Sequence, residues 1–328
     1  MPLSEFELIE RYFSHCGAER ADVRLGVGDD GALLDSPAEQ DLVAAIDTLV
    51  AGVHFLPQAA AASIGHRALA VNLSDLAAMG ARPAWALLAI TLPSVDERWL
   101  EAFAQGFGAL ARAHNVALVG GDTTRGPLCV TVQVLGHVPR LRAMRRSGAS
   151  PGDALFLSGT AGDAAAGLAL DQGRLQLEDA DAAAHLRARF AFPTARVALG
   201  EHLRDYASAC IDVSDGLLAD AGRLACASGC GVEIAFEELA LSASLVRAVG
   251  AERARYLALT GGDDYELCFA VPPARIPELQ RLLPPERWKY QRIGTLRAAP
   301  GAIVTRAGNV MEFSHSGFDH FASEALQK

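Results

Sequence analysis

The stretch Asn72-Leu-Ser-Asp-Leu-Ala-Ala-Met-Gly80 constrains this chain more than any other. It closes a run from about Ser63 in which Leu69, Leu73, Leu76, Ala77 and Gly80 recur at helical spacing. Ala68, Val71, Ala78 and Met79 leave the opposite side apolar as well, and a helix apolar nearly all round belongs in a protein interior. Asn72 and Asp75, three residues apart, then project on one side where little water reaches them. A buried carboxylate needs a cation, strong donors or a raised pKa. For one isolated Asp, backbone donors are an adequate answer. The case changes because Asp30, Asp47, Asp122, Asp212 and Asp215 also sit at strand ends or helix starts in apolar surroundings.

The 328 residues, 51% hydrophobic and 21% charged, are enough for two globular domains. A net charge of −10 argues against a nucleic-acid or anionic-membrane surface. It also means that any anionic substrate would need metal ions between it and the protein. The apolar run Trp85 to Leu92 is strand-sized, and no run is long enough to span a bilayer. The acidic start Met1-Pro-Leu-Ser-Glu-Phe-Glu7 lacks a signal-peptide pattern. Cysteines 16, 129, 210, 226, 230 and 268 lie mostly in apolar runs without a matching His or Cys pair, as expected of reduced thiols in a cytoplasmic protein.

In chain order, Ser4-Glu-Phe-Glu7 reads as a capping box opening a helix. Gly26-Val-Gly-Asp-Asp-Gly31 is a glycine-rich turn but no dinucleotide fingerprint. Asp41 to Val50 reads as a buried strand containing Asp47, followed by a loop with His54. A strand from Trp85 to Leu92 and a helix from about Asp96 to Ala113 precede a short strand, Val116 to Val119. That strand runs into Gly120-Gly-Asp-Thr-Thr124, read as a turn whose backbone N–H groups approach a ligand. The basic stretch Pro139 to Arg146 includes Arg146, a suitable phosphate partner. The turn-rich Ser147 to Asp153 places a domain boundary there, giving domains 1–148 and 149–328. A strand at Ala154–Leu157 is followed by helices to about Leu203. A strand Ala209–Val213 leads into a helix with Ser214 as N-cap and Asp215 in its first turn. Leu257 to Phe269 is a glycine turn leading into a strand. The Ser-Asp and Gly-Gly-Asp motifs recur 47 and 48 residues apart in the two halves, which suggests distantly related units.

Gathered without cations, these acids would repel one another and several would stay protonated. A carboxylate set without His or Cys points to Mg²⁺, whose shell is completed by water and substrate phosphates. Such a set suits phosphoryl transfer from a nucleotide, yet no P-loop and no H-R-D with a later D-F-G is present.

Gly28-Asp-Asp30, Asp47-Thr-Leu-Val50, Asn72 to Gly80, Gly120-Gly-Asp-Thr-Thr124, Ile211-Asp-Val-Ser-Asp-Gly216 and Gly261-Gly-Asp-Asp-Tyr-Glu266 occur in the order seen in the thiamine-monophosphate kinases, which this chain resembles over nearly its whole length. The wider superfamily includes aminoimidazole ribonucleotide synthetase, selenophosphate synthetase and HypE. The resemblance implies two α/β (α+β) domains: an N-terminal mixed sheet forming a barrel in a homodimer, and a C-terminal α/β sandwich. It implies several Mg²⁺ ions held by Asp30, Asp47, Asp75, Asp122, Asp212 and Asp215. ATP would contact Gly121, Asp122, Arg146 and Ser214, and thiamine monophosphate would contact His54, Asp263 and Phe318. Ala45-Ile46 stands where relatives often have Ser-Thr, so a metal contact there would use a backbone carbonyl. Asp263 stands where they often have Glu. The implied reaction is phosphoryl transfer from ATP to thiamine monophosphate with no covalent or general-base residue. A selenophosphate synthetase would carry a reactive Cys in a mobile N-terminal segment, whereas Cys16 lies in a helix-like stretch. HypE would end in a cysteine, whereas this chain ends in Ala325-Leu-Gln-Lys328. A non-turning-over nucleotide-binding dimer is the alternative from outside the enzymes.

Overall fold

A computed structural model describes residues 4–313, 317 and 318. The chain parts into two compact units, Met1–Leu76 with Ala81–Ala143, and Ala77–Gly80 with Met144–Lys328.

The first unit opens with α1 (Glu5–Tyr12), whose capping box is present: Glu7 accepts from the Ser4 backbone N–H at 2.8 Å, and Ser4 Oγ accepts from the Glu7 N–H. Next come β1 (Val23–Leu25), β2 (Leu33–Leu34), β3 (Gln40–Val50), α2 (Ala61–Ala78), β4 (Arg82–Leu92), α3 (Glu97–Ala113), β5 (Ala117–Arg125) and β6 (Cys129–Pro139). Asp96 caps α3 by accepting from the N–H groups of Arg98 and Trp99, and Leu100, Phe103, Phe107 and Ala111 form its buried stripe. Helices α2 and α3 meet backbone to backbone. A Cβ at Gly106 would lie 2.0 Å from the Ala62 carbonyl oxygen, and one at Gly65 would lie 2.2 Å from that of Phe103.

The main sheet of this unit runs β3-β6-β4-β5 and is mixed: β4 and β5 are parallel, the other pairs antiparallel. Strand β3 is therefore an edge strand, and it corrects the expectation of a fully buried one. Val43 and Leu49 face inward, while Leu42 and Ile46 on the other face are 50% and 61% exposed. A second correction concerns Gly120 to Thr124, which lies inside β5 and not in a turn. The parallel partner β4 supplies the backbone bonds that a glycine pair does not promise from sequence.

The second unit contains β7 (Ala154–Ser158), α4 (Asp163–Asp171), α5 (Ala180–Ala191), α6 (Val197–Leu203), β8 (Ala209–Val213), α7 (Leu217–Ala227) and β9 (Gly231–Ala235). It continues with α8 (Ala243–Val249), α9 (Ala251–Thr260), β10 (Glu266–Val271), α10 (Ile276–Leu282), α11 (Pro285–Trp288), β11 (Tyr290–Arg297), β12 (Gly301–Arg306) and β13 (Asn309–Met311). Its sheet runs β13-β12-β9-β11-β7-β10-β8, with β9 and β12 parallel and the other neighbours antiparallel. Strands β7, β8 and β10 are buried along their whole length, as near-continuous apolar runs predict.

The two halves are not matched copies. The first Gly-Gly-Asp lies within a strand parallel to β4, whereas the second precedes β10, which is antiparallel to β8. The nearly equal motif spacings are therefore not matched by equivalent strand surroundings. Among the described residues no helix is long and apolar enough to cross a membrane, and all six cysteines are unpaired.

Candidate active-site residues in each unit

In the first unit, a cavity of about 340 Å³ is lined by Phe6 and Ile9 of α1, the following Phe13, Val27 to Asp30, Leu88, Leu118 and Gly120 to Thr123. It gathers Asp30, Gly121 and Asp122 from the expected set, and adds Asp29. The turn holding the two acids is braced by the Asp30 N–H, which donates to Asp29 Oδ1 at 2.8 Å. Gly121 must be glycine: its φ is +153° and a Cβ would lie 1.8 Å from the Leu88 carbonyl oxygen. Apolar side chains on one wall and acids on another can seat an organic ring and a cation-bridged anion.

Asp47 is placed differently. Asp47, Val132, Leu88 and Gly121 form one row across the sheet. At the usual strand spacing that puts Asp47 roughly 14 Å from Gly121. Asp47 shares the covered face with Val43 and Leu49, whereas Asp122 shares a row on the open face with Ala89, Thr131 and Thr48. Asp75 on α2 is half-buried, less enclosed than its neighbours predict, while Asn72 and Ser74 beside it are fully buried. Asn72 donates to the Ala68 carbonyl at 2.9 Å, and among the described residues its Oδ1 has no partner. His54 folds back so that its Nδ1 accepts from the Val50 N–H at 3.0 Å, which sets the neutral tautomer with the proton on Nε2.

The second unit assembles its residues around the end of β8. Asp212 is buried and pairs across the ladder with Leu267. Ser214 does not cap a helix: α7 begins at Leu217 with Gly216 in the cap position. Instead the N–H groups of Ser214 and Asp215 both donate to Asp220 Oδ2 at 3.0 Å. The Ser214 carbonyl accepts from Asp263 N–H and the Asp215 carbonyl from Phe318 N–H, each at 2.8 Å. Asp263, Ser214, Asp215 and Phe318 are thus stitched together by main chain. Asp263 has φ +72° and the bulky Tyr265 φ +51°, a strained pair held by the Tyr265 N–H bond to Val213 and the Tyr265 hydroxyl on Asp263. Arg146 is exposed, and the preceding Arg145 carbonyl accepts from the Cys210 N–H at 2.8 Å, which brings this segment alongside β8.

Two residues here escaped the sequence reading. Arg223 Nη1 donates to Asp215 Oδ2 and Asp220 Oδ1, each at 2.5 Å. Burial pushes the Asp220 carboxyl up, against the N–H bonds and the Arg223 charge that favour its ionised form. The i,i+3 spacing of Asp220 and Arg223 was the available signal. Among the described residues no three His, Cys, Asp or Glu side chains form a ready-made metal cage.

The sequence matches two family models, "AIR synthase related protein, N-terminal domain" over residues 28–138 and "AIR synthase related protein, C-terminal domain" over residues 150–306. It is 48% identical over 324 residues to thiamine-monophosphate kinase of Escherichia coli K12, covering 98% of this chain and 100% of the relative. The chain belongs to the thiamine-monophosphate kinase family. The crystal structure of thiamine-monophosphate kinase from Stenotrophomonas maltophilia superposes with a TM-score of 0.84 at 46% identity, covering 95% of this chain and 99% of that one. A second thiamine-monophosphate kinase structure, AaThiL complexed with AMPPCP and TMP, superposes with a TM-score of 0.76 at 32% identity over 90% and 92% of the two chains. Both units of the present chain are therefore covered by the thiamine-monophosphate kinase fold.

Proposed function

We propose that this chain transfers the γ-phosphoryl group of ATP to thiamine monophosphate, giving ADP and thiamine diphosphate. Full-length identity of 48% to a thiamine-monophosphate kinase carries this reading. The acceptor is a phosphate oxyanion, so no residue has to remove a proton from it. One of its oxygens forms the new bond to the γ-phosphorus, the bond to the β–γ bridging oxygen breaks, and ADP leaves with that electron pair.

Mg²⁺ fits the donors present. It is commonly bound by one or two carboxylates with substrate phosphates and water, so the absence of a three-residue cage does not count against it. Asp30 and Asp122 border one cavity, while Asp212 lies in β8 and Asp215 two residues past its end. Bound there, Mg²⁺ would neutralise phosphate charge and hold the two phosphates in line. Asp47 and Asp75 join this set on the family motifs that carry them.

On the protein side, Gly121 and Asp122 would bind ATP with Arg146 and Ser214. His54, Asp263 and Phe318 would bind thiamine monophosphate, the exposed ring of Phe318 against the cationic thiazolium. The exposed apolar face of β3 supports a homodimer, and the composition supports a cytoplasmic enzyme.

The test is ADP release measured with and without thiamine monophosphate, with and without Mg²⁺. Turnover is expected only when both are present, with thiamine diphosphate formed in equal amount. ADP release indifferent to thiamine monophosphate would overturn the proposal.

A further inference from the structure

The second unit holds another cavity, of about 480 Å³, lined among others by Thr160, Arg189, Arg196, Lys289 and Gln291. None of these belongs to the site proposed above. At its base lies Glu266, which is fully buried. This carboxylate accepts four bonds: Ser158 Oγ at 2.5 Å, Arg189 Nη2 at 2.9 Å, Arg196 Nε at 2.6 Å and Arg196 Nη2 at 2.5 Å. Four donors use up the lone-pair sites of one carboxylate.

The other acids nearby are committed too. Asp163, fully buried, accepts from Thr160 Oγ1 at 2.7 Å and Ser242 Oγ at 2.5 Å. Asp264 accepts from the N–H groups of Gly162 and Ala164 at the start of α4. The N-terminus of α4 is therefore already capped and offers nothing to a ligand.

Donors are in excess. Each guanidinium is pinned to Glu266 by one side, and its Nη1 group takes no part in those bonds. Burial opposes the Arg196 charge, but Glu266 more than offsets it, so the group is held more firmly protonated than usual. Among the described residues the buried Gln291 Nε2 has no acceptor, an unfavourable state unless something fills the cavity. Lys289, the single lysine of the described residues, is exposed at the rim, and none of them forms an ion pair with it.

We propose that this cavity binds a phosphate dianion, free or as a phosphomonoester, between the paired guanidinium groups of Arg189 and Arg196, with Gln291 donating from below and Lys289 closing the rim. Glu266 acts as the positioning residue that fixes both arginines before the ligand arrives. A phosphate matches this set better than a carboxylate. It presents acceptor oxygens in several directions, and planar guanidinium forks are suited to it. The volume exceeds that of the ion itself, which leaves room for the organic part of an ester.

The experiment is calorimetric titration of the full chain, in chelator so that metal-dependent phosphate binding is removed. Inorganic phosphate, glycerol phosphate and acetate are the probes. One phosphate site per chain is expected, weakened at least tenfold in Gln291→Glu and several-fold in Lys289→Gln, with Lys289→Arg close to wild type. Tighter binding of glycerol phosphate than of phosphate would identify an ester as the ligand; equal binding would identify the free anion. Lys289 is exposed, so its variants are expected to fold and they decide the matter should Gln291→Glu fail to. No phosphate binding by the wild type, unchanged binding in both variants, or acetate binding as tightly as phosphate would overturn the proposal. Because the site lies wholly in the second unit and needs no nucleotide, its failure leaves the kinase reading intact, and the converse holds.

Discussion

Arg223 sits against one of the acids proposed to bind a metal. Its Nη1 group holds Asp215 and Asp220 together, and its own charge is strengthened because their attraction outweighs burial. If Asp215 binds Mg²⁺, the guanidinium competes for the same oxygen. Arg223→Gln is expected to lower the Mg²⁺ concentration for half-maximal ADP release several-fold, and to cost about 1 kcal/mol of stability through the bond lost to buried Asp220. An unchanged Mg²⁺ dependence would remove Asp215 from the metal set. A second residue-scale case is Asp22. Hydrogen bonding to Arg20 holds its carboxyl below the usual carboxylate range, helped by Trp85 Nε1 at 3.2 Å and opposed by burial. The folded value lies below the unfolded one, so its contribution to stability is present above about pH 4 and is lost as pH falls through the folded value. Asp22→Asn should therefore destabilise by about 1–2 kcal/mol at pH 7, with the gap to wild type closing in denaturant melts taken to more acid pH. A constant gap would show that the bonds at Asp22 do not depend on its charge.

Among elements, those governed by local rules were readable from the chain. The capping box at Ser4 and Glu7, the helix from about Asp96 to Ala113 and the apolar runs of β7, β8 and β10 all appear where the residues place them. The Gly120–Thr124 segment was not, because whether a glycine pair turns or extends depends on the neighbouring strand. Here β4 comes so close that only glycine fits, and the segment extends. The start of α7 was misread for a related reason. Asp220, from inside the helix, reaches back to the N–H groups that a Ser214 cap would have served. Gly121→Ala is expected to push β5 away from β4 and to destabilise by about 1–3 kcal/mol in urea titration, with loss of nucleotide binding. Wild-type stability would mean that β5 adjusts freely and that the cavity wall is not fixed by this contact.

At the scale of the molecule, both units were foreseen as α/β, but the chain could not say which strand faces would be covered. Strand β3 reads as buried on both sides because Leu42, Ala44 and Ile46 are apolar, yet within one chain that face is open and lies at the sheet edge. An eleven-residue edge strand with an apolar outer face is a hazard for a free monomer, and natural sequences usually interrupt such edges with charge. Its outer residues carry no charge between Leu42 and Ile46. A second copy of this chain covering the face, as in the homodimer proposed above, would remove that hazard. The wild type is expected to sediment as a dimer, and Leu42→Glu combined with Ile46→Glu as a monomer, because two carboxylates buried against an apolar partner would be left without compensation. A wild type that sediments as a single chain at micromolar concentration would leave β3 as an uncovered edge and would withdraw the dimer.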